Sequence, residues 1–73
     1  MFDCHVFDNN PIYSVIYFPD DLELTLTFSN NRQVIYSYYD VPTQIYQDLI
    51  NHPNPSLFFN LNIRNSFTCH REG

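Results

Sequence analysis

An α+β domain is what this sequence predicts: a three-stranded antiparallel sheet, with room for an extra N-terminal strand, covered by one helix and a second, shorter one. Three features lead there. Leu22, Leu24, Leu26 and Phe28 alternate with Glu23, Thr25 and Thr27, the period of two expected of a strand with one buried and one wet face. Val41-Pro42 then ends the strand pattern, because proline lacks the N–H that a central ladder needs. Beyond it, Ile45, Tyr46, Leu49 and Ile50 fall on one helical stripe.

Taken in order, residues 1–11 close in Asn9-Asn10-Pro11, a turn-prone cluster, and leave space for a short first strand or arm. Ile12–Phe18 is β-branched and aromatic, and Pro19-Asp20-Asp21 after it suits a type I turn with proline second. The leucine strand follows, all four of its apolar side chains assigned to the core. Ser29-Asn30-Asn31-Arg32 reads as a hairpin in which asparagine supplies the positive φ. Gln33–Tyr39 pairs back antiparallel, with Val34, Tyr36 and Tyr38 on one face and Ile35, Ser37 and Tyr39 on the other. Thr43 is the expected N-cap of the first helix, which His52-Pro53 stops. Asn54-Pro55 supplies a cap followed by proline at the first helical position. The second helix is expected to run to about Arg64 with Phe58, Leu61 and Leu57 turned inward. Residues 68–73 are polar and are expected to fray.

At 73 residues the chain makes one small domain with a thin core, for which seven Phe and six Tyr compensate. So small a core and exposed sheet edges lead us to expect self-association, a dimer being the commonest form. Eight carboxylates stand against three arginines and no lysine, a net charge of −5. A chain so acidic is a poor binder of phosphate backbones or anionic membranes, both of which are gripped by Lys and Arg. No apolar run approaches the ~18 residues of a membrane span, and the N-terminus lacks the order of a signal peptide. We therefore expect a soluble, cytoplasmic protein.

Catalysis has little to work with. No serine sits in a glycine-flanked elbow, the sole glycine is Gly73, and there is no phosphate-cradling loop. Asp20, Asp21 and Glu23 fall at a turn and on a wet face. His52 ends a helix, where the helix dipole accounts for it. Cys4-His5 and Cys69-His70 together have the atoms for a tetrahedral zinc site. Adjacent residues of an extended chain point opposite ways, however, so neither pair converges readily on one ion. A Cys4–Cys69 disulfide is disfavoured in a reducing compartment. We expect free thiols, no metal, no cofactor and no enzyme.

The string Ser14, Tyr17, Leu22-Glu23-Leu24 to Phe28, Tyr36, Tyr38, Asp40-Val41-Pro42, Tyr46, Leu49, Pro53 and Phe58-Phe59-Asn60-x-x-Ile63-Arg64, with an aromatic at Phe67, resembles the KTSC domain family. That module occurs at the C-terminus of some lysyl-tRNA synthetases and as a free-standing protein in bacteria and phages. The resemblance implies a sheet covered by a helix and a second short helix, and suggests a role in RNA contact or a small phage-encoded protein that sequesters a ligand. This chain has Ile16, Asn31 or Arg32, and Ser56 where the family commonly has glycine, and it lacks the basic residues that RNA contact would use.

Asn60 and Arg64 are four apart, so on a helix they share a face, with Tyr36 or Tyr38 across from them. With Phe59 they make a candidate site: a guanidinium fork for phosphate or carboxylate, an amide for a base or sugar edge, and rings for stacking. The structural alternative pairs Arg64 with Asp40 and has Asn60 cap a backbone group. The expected function is non-enzymatic binding of a small anionic, nucleotide-like ligand at Tyr36, Tyr38, Phe59, Asn60 and Arg64. A protein-interaction adaptor is the second reading and RNA contact the third.

Overall fold

In the computed structural model, which describes all 73 residues, the strands β1 (Asp3–Val6), β2 (Ile12–Phe18), β3 (Glu23–Phe28), β4 (Asn31–Tyr38) and β5 (Cys69–Glu72) lie side by side in chain order. Every neighbouring pair is antiparallel. The helices α1 (Thr43–Asn51) and α2 (Pro55–Asn62) are inserted between β4 and β5. The sheet thus has five strands where the sequence predicts three and an optional fourth. The tail expected to fray is an edge strand: Cys69 pairs with Tyr38 and Glu72 with Ile35, and the Tyr39 N–H extends the ladder by donating to the Thr68 carbonyl at 3.0 Å. All four β5 residues are exposed. Backbone pairing holds this strand, and hydrophobic periodicity cannot reveal it.

Two cross-strand rows build the face that the helices cover. One runs Asp3, Tyr17, Leu24, Tyr38, Cys69, and the other His5, Val15, Leu26, Tyr36, Arg71. Their middles are buried and join Ile12, Val41, Tyr46, Leu49, Phe59 and Ile63 in one core. Leu22 is no part of it: it sits in the turn before β3 with φ 52° and its side chain is 39% exposed. Its carbonyl accepts the Val41 N–H at 2.8 Å, which ties that turn to the loop carrying Pro42. Phe28 is half-buried against the core's edge. On the opposite face no helix lies; Ser14 and Thr27 bond across at 2.9 Å there, and Val6 and Ile35 are exposed.

The turns differ in detail from what residue preference suggests. Pro19 is second in a turn closed by the Asp21 N–H to the Phe18 carbonyl at 3.1 Å, as expected. The β3–β4 hairpin turns at Ser29-Asn30, and a register shift between Leu26 and Phe28 takes up the extra β4 residues. Positive φ is found at Asn9, Leu22 and Asp40, not at Asn30 or Asn31.

Helix α1 lays Tyr46 and Leu49 into the core, with Ile45 and Ile50 beside them. Thr43 is its first residue and not its cap: Pro42 holds that place without a side-chain bond, and its carbonyl takes the Ile45 N–H at 3.0 Å. In α2 the expected cap holds, since Asn54 Oδ1 accepts the Leu57 N–H at 3.2 Å with Pro55 following. The helix ends at Asn62, however, and the inward residues are Pro55, Phe59 and, just past its end, Ile63. Leu57 and Leu61 are 47% and 72% exposed and point outward, whereas Phe58 is half-buried and packs against the core as the sequence suggests. The run Leu57-Phe58-Phe59 is apolar on every side, and its period cannot choose a face.

Buried tyrosines lock the helices to the sheet. Tyr17 and Tyr46 stack with centroids 4.8 Å apart. The Tyr17 hydroxyl donates to the Val41 carbonyl at 2.5 Å, and the Tyr46 hydroxyl donates to Asp3 Oδ2 at 2.7 Å, pinning β1. Tyr17→Phe strands the Val41 carbonyl in the core, and we expect it to destabilise the chain by about 1–3 kcal/mol. Urea denaturation checks this; an unchanged midpoint would show the bond to be dispensable.

Candidate ligand-binding cleft

Where α2 meets β3 and β4 the packing leaves a cleft of about 240 Å³ lined by Phe28, Tyr36, Tyr38, Phe59, Asn60 and Arg64. The structure therefore brings together all five residues singled out from the sequence and adds Phe28. Phe59 is the hinge of this wall, edge-on to Tyr38 at 5.5 Å and to Phe28 at 5.7 Å, while Phe28 meets Tyr36 edge-on at 5.3 Å. Such tilted pairs are the favoured geometry for rings.

The polar residues come from the end of α2. The Phe59 carbonyl accepts both the Ile63 N–H at 2.9 Å and the Arg64 N–H at 3.0 Å. That tight turn keeps Asn60 and Arg64 on the rim although the helix proper stops between them. Both are exposed. Arg64 does not pair with Asp40; the ion pairs of the chain join the N-terminus to Asp20 and His70 to Glu72. The side-chain bond to backbone at this helix end belongs to Asn62, whose Nδ2 donates to the Phe58 carbonyl at 3.1 Å. Asn60 and Arg64 are thus free of the bracing roles that the structural alternative gave them.

Tyr38 lies at the base, with the Cys69 thiol beside it. Burial pushes the Tyr38 phenol well above its ordinary pKa, the Cys69 thiol adds to the shift, and the Arg64 guanidinium opposes it. The phenol therefore keeps its proton well into the alkaline range. On the other side of Tyr36, the Arg71 guanidinium carbon lies 6.0 Å from the ring centroid. Sequence reasoning missed Phe28, by assigning it to the core, and Cys69 and Arg71, by leaving their segment unpaired.

A wider, shallower depression of about 580 Å³ lies between the β1–β2 loop and the β3–β4 hairpin. Its cation, Arg32, already lies on the Tyr13 ring at 3.8 Å, and Asp8 shares the space. The smaller cleft has convergent donors without a carboxylate, and it is the better candidate. Cys4-His5 and Cys69-His70 sit on opposite edge strands, and both cysteines are free thiols. No helix is long and apolar enough to cross a membrane.

A meandering antiparallel sheet with two helices on one face and an aromatic cleft at the helix end defines a small α+β module. The chain belongs to the KTSC domain family, whose sequence model matches residues 8–67. It is similar to the crystal structure of a KTSC domain protein from Yersinia pestis, at 25% identity with a TM-score of 0.87, over 100% of both chains. A search of curated proteins found no match.

Proposed function

We propose that this chain is a non-enzymatic binding protein whose cleft takes a small anionic ligand of the nucleotide class. The observation that carries this reading is that Asn60 and Arg64 stand exposed and unpartnered on the rim of an aromatic cleft. A lone guanidinium serves carboxylates and phosphates alike. Phe28 and Tyr36, half-buried in the cleft wall, favour the nucleotide, since base stacking contributes about 1–3 kcal/mol per base and a small carboxylic acid has no face to offer. At about 240 Å³ the cleft is below the roughly 300–1,000 Å³ usual for drug-sized ligands. It would hold one base or one sugar-phosphate and leave the rest of the molecule outside.

A thermal-shift screen over nucleotides tests this. A ligand at a hundred times its Kd stabilises the folded state by about 2.7 kcal/mol, a melting shift on the order of 10 °C in a domain of this size. Arg64→Ala, at an exposed position, should leave the unliganded melt nearly unchanged and abolish the shift. A flat screen with wild-type protein would sink the reading.

A further inference from the structure

Arg71 is one of only three cations in the chain, and the register of β5 decides where it goes. It pairs with Tyr36 at the end of the row His5, Val15, Leu26, Tyr36, so it stands on the helix-covered face of the sheet. Its neighbours His70 and Glu72 lie on the opposite face, where they approach each other at 3.4 Å. Arg71 has no carboxylate partner of its own and leans toward the Tyr36 ring. Tyr36 also lines the cleft that bears Arg64. Arg71 stands just outside the cleft's lining, next to Tyr36, so two of the three cations lie beside one pair of tyrosines, one at a helix end and one on an edge strand. None of the eight carboxylates of this acidic chain lines that cleft. Charge placed against the general sign of a molecule focuses a ligand of opposite sign there.

We infer that the ligand carries a terminal phosphate monoester, and that Arg71 of β5 grips it together with Arg64. The inference rests on the nucleotide reading of the cleft and narrows it. Charge matching selects the monoester: two guanidiniums balance a group carrying about −1.5 to −2 at neutral pH, whereas a diester or a carboxylate offers one charge. Two guanidiniums carried on separate elements can each take different oxygens of one phosphate. The C-terminal strand is then part of the site, since its backbone pairing with β4 is what sets Arg71 beside Tyr36.

Isothermal titration with adenosine and 5′-AMP, and with uridine and 5′-UMP, reads the phosphate's share directly. Wild-type protein should prefer the nucleotide of each pair by about 10- to 100-fold, the range of a charge-assisted bond. Arg71→Gln keeps the apolar stem and the strand's backbone but should lose most of that preference, while Arg71→Lys should retain part of it. Amide exchange at Tyr39, whose N–H is bonded to Thr68 in this ladder, verifies that β5 remains paired in each variant. If wild-type protein binds nucleotides and Arg71→Gln discriminates as well as it does, or if wild-type protein binds nucleoside and nucleotide equally, the phosphate grip is wrong while the aromatic cleft stands. If wild-type protein binds none of the four, the cleft reading falls and this inference with it.

Discussion

Phe59→Ala should leave the chain largely unfolded at room temperature. Phe59 is 3% exposed and is the ring against which both Tyr38 and Phe28 are set. It is also the main anchor of α2, whose other inward residues are Pro55 and, past the helix end, Ile63. Removing a buried phenylalanine costs about 3–5 kcal/mol, transfer and cavity together. A domain of this size rarely holds more than about 3–5 kcal/mol in total, so the loss matches the whole margin. Phe59→Leu keeps most of the volume and should cost about 1.5 kcal/mol or less. It leaves a folded protein with a widened cleft. Circular dichroism in a urea series separates the two variants. A cooperative Phe59→Ala transition near the wild-type midpoint would mean that Pro55 and Ile63 hold the helix without it.

What could be read from residues alone divides along physical lines. Strand β3 declared itself because one face is buried and the other wet, β2 because a β-branched and aromatic run lies between prolines, and α1 because Pro42 forces a change of period. The cleft was legible for a related reason: Asn60 and Arg64 interrupt an apolar run at helical spacing, and polar groups so placed must reach a surface. Strand β5 has no such signature. Cys-His-Arg-Glu is exposed throughout, and a strand held only by its ladder looks like any polar tail. With β5 unseen, Arg71 and Cys69 had no place beside the tyrosines. The inward face of α2 was assigned only in part: Phe58 packs on the core as expected, but Phe58, Phe59 and Leu61 satisfy several stripes at once, and contact with Tyr38 selects Phe59 over Leu61. The covered face needed the fold to be known first.

Alkaline pH should unfold this protein steeply, and two phenols set the slope. Burial, followed by the hydrogen bond to Asp3, holds the Tyr46 pKa well above its ordinary value; burial and the neighbouring Cys69 thiol do the same for Tyr38. Below about pH 10, the unfolded-chain value for tyrosine, both groups are protonated folded or unfolded, and their contribution is constant. Above it the unfolded chain releases both protons while the folded chain keeps them. The folded state then binds more protons, so stability falls as pH rises, by about 1.4 kcal/mol per pH unit for each tyrosine and about 2.7 kcal/mol for the two. Set against the few kcal/mol such a domain holds, this brings the midpoint within about two units above pH 10. Urea midpoints at about pH 9 and about pH 11 measure the slope. Tyr46→Phe and Tyr38→Phe should each remove about one proton from the transition; equal urea midpoints at the two pH values would show that both phenols ionise within the folded chain. The consequence reaches the cleft, because Tyr38 is one of the residues that line it. The cleft's aromatic wall would then come apart over the same span of pH as the fold.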